Sequence, residues 1–184
     1  MRESLVFKTT LLILSMACTP AMANPNMTST TDTHAFSEIL QKELTNRATA
    51  REAIEAITAP RLKPDARLFW ETYAQLEVLN LHWYTPVAVD LQPEPATLSA
   101  WLKGRSAALY YCVAPERMLK RMAKAISSYY EELQATTPKV AVSQRTFYQY
   151  VLDQERAQVQ AFAMAAAGDY HSASKHLNAF LTDH

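Results

Sequence analysis

Three glutamates are the residues of this sequence best placed to do chemistry, because each lies on the apolar side of a predicted helix. At 100° per residue, Glu155 falls near the middle of an apolar face, and Glu77 lies within the broad apolar face of its own helix. Glu43 does the same in a third helix, with Arg47 one turn later on the same side. A carboxylate buried alone costs several kcal/mol, so each glutamate is expected to meet a partner.

The three glutamates fall near the middles of their helices, which predicts one polar layer inside the protein. Its predicted members are Glu43, Arg47, Glu77, Asn80, Glu155 and Gln158. One interpretation is a structural network of ion pairs and hydrogen bonds, in which Arg47 neutralises one glutamate and tyrosine hydroxyls and Gln158 satisfy the others. The other is a transition-metal or redox site held by Glu43, Glu77 and Glu155.

Sequence signatures of known catalytic sites are missing. The chain has no Gly-x-Ser-x-Gly turn, no His-Glu-x-x-His pair, no Cys-x-x-Cys pair and no glycine-rich phosphate loop. We therefore predict no catalytic residue, and no cofactor other than a carboxylate-bound metal. The sequence favours a binding protein over an enzyme.

A second polar feature is a strip of basic residues along the helix predicted for 115–134. It consists of Arg117, Lys120, Arg121 and Lys124, opposite that helix's apolar stripe. Such a strip is either a solvated face or a contact surface for an acidic partner or anionic lipid. On the preceding helix, Cys112 shares an apolar face with Trp101 and Leu109, which predicts a buried thiol. An intermolecular disulfide is the alternative.

Helices must position all these residues, because the chain has only two glycines, too few for the turns of an all-β fold. Prolines and apolar periodicity predict the helix boundaries. The predicted helices run from about 33 to 59, 64 to 85, 97 to 134, 141 to 167 and 170 to 181, the third one kinked at Pro115 or restarted there. Residues 86–96, with three prolines, form a long connection.

The connections between the four long helices are predicted to be short, long and short, in chain order. This order predicts an all-α antiparallel bundle of four long helices with one crossover, closed by a short C-terminal helix. Within it, Glu77-x-x-Asn80 and Glu155-x-x-Gln158 resemble the Glu-x-x-His pairs of ferritin-like di-iron bundles, and Glu43 matches the lone glutamate of the first helix. The resemblance covers residues 33–167. It implies a ferritin-like scaffold without the usual metal site, because amides replace both histidines and the third long helix has no glutamate on its apolar stripe.

The first residues resemble a secretory signal peptide. Arg2 and Lys8 precede the apolar run 11–14, and Ala21-Met22-Ala23 is a small-x-small cleavage site. Lipidation of Cys18 is the competing interpretation. The domain prediction is therefore a signal peptide over 1–23, a flexible leader over 24–32 and one helical domain over 33–184, periplasmic or secreted.

Charge and hydropathy restrict the partners. Lys and Arg number 18 and Asp and Glu number 18, a balance that argues against nucleic acid. No segment of the mature chain is long and apolar enough to be a transmembrane helix. The resulting hypothesis is an exported helical protein that binds another protein in the periplasm, as an adaptor, inhibitor, immunity factor or chaperone. The alternative is the ferritin-like carboxylate bundle with a metal or redox site.

Overall fold

The computed structural model describes residues 28–58, 62–91, 98–137 and 140–184. The predicted signal peptide and residues 24–27 of the predicted leader lie outside this part of the chain. The described residues form six α-helices and no strand, which confirms the all-α helical bundle. The helices are α1 (Thr28–Ile57), α2 (Pro64–Leu91), α3 (Leu98–Val113), α4 (Pro115–Thr136), α5 (Arg145–Ala166) and α6 (Tyr170–Asp183).

Helix α1 begins earlier than predicted, at Thr28 instead of Thr33. The prediction of a flexible leader is therefore wrong for residues 28–32, which form the first turn of the helix. The polar composition of this segment suggested a leader, but no proline or glycine lies between 28 and 57. Nothing in the sequence there interrupts the helical hydrogen bonds.

The prediction that the second helix stops at Thr85 is also wrong, because α2 continues through Pro86 to Leu91. Packing on both sides of the proline explains the difference. Before it, the Trp83 ring stacks on Tyr150 with centroids 4.4 Å apart, and Tyr84 is buried. After it, Val87 packs against the core. These contacts outweigh the backbone hydrogen bond that a proline removes.

Pro115 separates two helices and does not kink a single one. Ala114 leaves the helical conformation, with φ −148° and ψ 67°, and Pro115 takes the first position of α4. Proline suits that position because its missing N–H would have no partner in the first turn. The predicted third long helix is therefore two helices, and α3 and α4 contact different neighbours.

Helix pairing places α1 against α2 and α4 against α5, as the predicted hairpins require. Helix α3 runs along α1, and α6 packs on both α2 and α5. A cluster of aromatic rings, including Phe69, Trp70, Tyr73 and Phe162, fills one end of the interior. At the turn into α6, Gly168 adopts a positive φ of 89° and the Asp169 side chain accepts a hydrogen bond from the Ser172 backbone N–H.

Helix α3 buries three small residues and one tyrosine, and it exposes its leucines and its tryptophan. Its inner face consists of Ala100, Gly104, Ala108 and Tyr111. Gly104 approaches α1 so closely that a Cβ there would lie 2.5 Å from the Cβ of Glu52 and 2.8 Å from the carbonyl oxygen of Thr49. The apolar face that sequence periodicity predicted to be buried, with Trp101, Leu109 and Cys112, is therefore exposed.

Candidate functional site

Arg47 of α1 is the centre of a buried ion cluster. Its Nη1 lies 3.0 Å from Glu77 Oε1 on α2, and its Nη2 lies 2.8 Å from Glu155 Oε1 on α5. Its Nε lies 3.8 Å from Glu43 Oε2, one turn earlier on α1. All four side chains are buried, and Glu155 is only 1% exposed. The structure thus brings together the charged residues of the predicted polar layer, from three helices.

Amide side chains extend the cluster along α5 and α2. The Gln154 Nε2 donates to Glu155 Oε1 over 2.7 Å, while its Oε1 accepts from Arg47 Nη1 over 3.2 Å. The Gln158 Nε2 donates to both Gln154 and Glu155. Asn80 Nδ2 donates weakly to Gln154 Oε1, at 3.4 Å. Asn80 and Gln158, also predicted for this layer, therefore belong to the same network.

Three tyrosine hydroxyls close the network at its edges. Tyr84 donates to Glu43 Oε2 over 2.7 Å, and Tyr73 donates to Gln158 Oε1 over 2.9 Å. Tyr150 donates to Asn80 Oδ1 over 2.8 Å. Buried carboxylates and amides need such donors because each unmet hydrogen bond in the interior costs about 1–3 kcal/mol. The rings of the same tyrosines also supply apolar packing.

The cluster holds one guanidinium and three carboxyl groups, so burial opposes full ionisation. Burial raises the pKa of Glu155 to about 7, although the Arg47 charge acts in the opposite direction. Burial likewise raises the pKa of Glu77, again against the attraction of Arg47 and Arg51. Burial alone would lower the pKa of Arg47, but the surrounding carboxylates raise it well above its ordinary value. The cluster therefore retains a proton on Glu155 in part of the molecules near pH 7.

The geometry does not fit the metal site that was the alternative for Glu43, Glu77 and Glu155. The Arg47 guanidinium lies between these carboxylates, where an ion would have to bind. Among the described residues, no group of three or more His, Cys, Asp or Glu side chains is arranged to hold a metal ion. The cation that contacts all three carboxylates is a side chain of the protein itself.

Gln154 is a central member that the sequence analysis missed. It is fully buried and contacts Arg47, Asn80, Glu155 and Gln158. The signal was weaker than for Glu155, since at 100° per residue Gln154 lies about 20° from Phe147, just beyond the edge of the apolar face. Tyrosine hydroxyls were predicted as donors to the buried glutamates, but which tyrosines donate, and to which groups, was not predicted. Their hydrogen bonds depend on how the helices pack.

The second candidate site is the outward face of α3, which we call the α3 apolar face. It consists of Leu98, Trp101, Leu102, Leu109, Cys112 and Val113, all of them exposed. Leu98 is 71% exposed, Leu109 68% and Val113 77%. Their spacing of three, four and seven residues places them on one side of the helix. Arg105 lies in the same stripe, and its charge pairs with Glu52 and Glu55 of α1.

The α4 basic strip, as predicted from sequence, contains Arg117, Lys120, Arg121 and Lys124, and all four are exposed. It begins where the α3 apolar face ends, because only Ala114 separates the two helices. The Arg121 guanidinium lies 5.7 Å from the centre of the Tyr110 ring of α3. The basic strip and the apolar face therefore adjoin at the break between α3 and α4.

Cys112 is exposed, so the prediction of a buried thiol is wrong. The cause is the packing of α3 through Ala100, Gly104 and Ala108. Small residues four apart allow two helices to approach closely, and this pattern in the sequence indicated the true inner face. The larger residues were assigned to the interior only because they are more hydrophobic.

Comparisons of this chain with protein-family models, with curated proteins and with solved structures give no match. Fold and sites together define a class only, an all-α helical bundle with a buried ion cluster and an exposed apolar helix. None of the helices in the described ranges is long and apolar enough to cross a membrane.

Proposed function

We propose that this protein acts by binding another protein through the α3 apolar face and the adjoining α4 basic strip. The observation that carries the proposal is the exposure of six large or reactive side chains on one side of α3. The partner would present an apolar surface bordered by acidic groups. Adaptor, inhibitor, immunity factor and chaperone are the roles consistent with such a surface.

Energetics supports a partner on the α3 apolar face. Burying a leucine or valine side chain stabilises a structure by about 1.5–3 kcal/mol relative to leaving it in water. Helix α3 leaves Leu98, Leu102, Leu109 and Val113 in water while it buries alanines and a glycine. Contiguous exposed apolar side chains of this kind are typical of interaction sites.

The charge of the α4 basic strip favours an acidic partner. Arg117, Lys120 and Lys124 make no ion pair with any described residue of the chain. Exposed charges of one sign attract a complementary surface and accelerate its association. Arg121, packed on Tyr110, connects the strip to α3.

Binding would take place outside the cytoplasm, as part of the same proposal. Support comes from residues 1–23, whose basic start, apolar run and Ala21-Met22-Ala23 end have the pattern of a secretory signal peptide. The mature chain would then carry one cysteine, Cys112, within the proposed binding surface.

A quantitative co-purification experiment tests the proposal. The full chain with a C-terminal tag would be expressed in its native host, and the double variant Leu102→Asp/Leu109→Asp would be expressed there in parallel. The matched control is Val89→Asp/Val142→Asp, which changes two equally exposed apolar residues elsewhere. We expect a protein that co-purifies with the wild type and the control, and at least tenfold less of it with the α3 variant. Equal recovery with all three chains would overturn the proposal.

A further inference from the structure

A groove between α1 and α2 is separate from the proposed protein-binding surface. Its volume is about 470 Å³, within the range of small-molecule sites. Ile54 of α1 and Ala74 and Val78 of α2 form its apolar walls, and Glu77 lies at its floor. Glu55 and Glu71 lie at its rim.

Glu77 connects this groove to the buried ion cluster. One oxygen, Oε1, accepts from Arg47 Nη1 inside the protein, over 3.0 Å. The other, Oε2, is buried and accepts no hydrogen bond within the described residues. Oε2 also forms an ion pair with Arg51, whose Nη1 is 4.0 Å away and whose side chain also lines the groove. It therefore has a charged neighbour among the groove residues but no hydrogen-bond donor.

A buried carboxylate oxygen without a hydrogen-bond donor defines what the groove would accept. A charged acceptor in a desolvated position gains most from a donor that is itself charged. The glutamates at the rim add negative potential, so an anionic ligand is disfavoured. Arg51 is 38% exposed in its side chain, which leaves it free to turn toward solvent when another cation approaches Glu77.

We propose that the groove is a binding site for small primary amines. The ammonium group donates a hydrogen bond to Glu77 Oε2, and the carbon chain packs between Ile54 and Ala74. Val78, at the mouth, covers the outer part of the chain. The ligand replaces Arg51 as the ion-pair partner of Glu77 Oε2, and the contacts of Arg47 within the ion cluster stay unchanged.

Calorimetric titration of the purified protein with n-butylammonium chloride tests this site. Its neutral counterpart, 1-butanol, has the same carbon chain without the charge. We expect saturable one-to-one binding of the amine and at least tenfold weaker binding of the alcohol. Equal affinity for the two probes, or no saturable heat with the amine at millimolar concentration, would overturn the proposal.

Two substitutions locate the binding. Ala74→Phe fills the groove from its wall, and Val78→Trp covers it from an exposed position that cannot disturb the interior. Each should weaken amine binding at least tenfold. Glu131→Gln on α4, an exposed carboxylate far from the groove in sequence, is the matched control and should bind the amine like the wild type. Unchanged binding by both groove variants would place the amine elsewhere and refute the site.

Discussion

The buried ion cluster and the α3 apolar face are opposite departures from the usual distribution of residues. In the cluster, four charged side chains lie inside the bundle; on α3, six apolar or thiol side chains lie in water. The cluster finds its partners within the chain, because Arg47 contacts three carboxylates and the amides and tyrosines supply further hydrogen bonds. In the described part of the chain, the side chains of the α3 apolar face stay exposed.

This difference points to a structural role for the buried ion cluster and to a binding role for the α3 apolar face. A buried charge that is paired within the chain contributes to the choice of one packed arrangement. A row of exposed apolar side chains is typical of an interaction site. The buried ion cluster therefore supports the fold, and the exposed leucines of α3 support the proposed function.

The largest effect is expected from removing the central cation. Arg47→Met leaves three buried carboxyl groups without their counter-charge, and it should lower the free energy of unfolding by about 3–5 kcal/mol. Urea denaturation measures the change. The control is Lys42→Met, which removes an exposed ion pair with Glu132 of 2.7 Å and should cost about 1 kcal/mol or less. Similar losses for the two variants would show that the cluster is not a coupled buried network.

Two leucines test the contrast between interior and α3 apolar face directly. Leu119 of α4 is fully buried and Leu109 of α3 is 68% exposed. Leu119→Ala should destabilise the protein by about 2–5 kcal/mol, through lost burial and the cavity left behind. Leu109→Ala should change stability by about 0.5 kcal/mol or less. A large loss at Leu109 in the isolated protein would show that another part of the chain covers α3.

The ion cluster should give stability a characteristic pH dependence. The pKa of Glu155 is about 7 in the folded protein, above its ordinary value of 4.5. The folded state therefore holds this proton more tightly, and the resulting stabilisation is complete below about pH 4.5 and lost as pH rises through 7. Relative to Glu155→Gln, the wild type should lose stability over this interval. A wild-type advantage that grows with pH would mean that the carboxylate is preferred in its charged form.

The smallest expected effect concerns the α4 basic strip. Replacing Lys120 and Lys124 by Gln removes two exposed charges, and stability should stay within about 0.5 kcal/mol of the wild type. Binding of the partner should weaken several-fold at low salt and less at high salt, because salt screens exposed charges. Binding measurements at two ionic strengths check this. Equal affinity for both proteins at low salt would restrict the interface to α3.

Sequence periodicity was sufficient to predict the helices and which charged residues face inward. Glu43, Glu77 and Glu155 are buried, as their angular positions predicted. A polar residue on the apolar face of a helix enters the core together with that face. Periodicity failed for α3, which is apolar on two sides. Whether Gly104 or Leu109 faces inward depends on how closely α1 and α3 approach each other. That distance is determined only when the two helices pack together.

The local signal failed at Pro86 but not at Pro115, where a restarted helix was one of the two predicted outcomes. Proline opposes the helix at Pro86, but ring stacking of Trp83 and burial of Tyr84 hold α2 together. Pro115 begins a new helix after Ala114. The simultaneous contacts of Arg47 with carboxylates of α1, α2 and α5 could likewise not be predicted from the sequence, because they depend on the spacing of these three helices.

Photo-crosslinking from the surface of the protein is the most direct test of the central claim. A benzophenone amino acid would replace Leu109 on the α3 apolar face or, as the control, the similarly exposed Val142. After irradiation of cells that make the full chain, we predict one discrete crosslinked protein from position 109 and none from position 142. No crosslink at 109, or the same products from both positions, would contradict the claim that α3 is a binding surface.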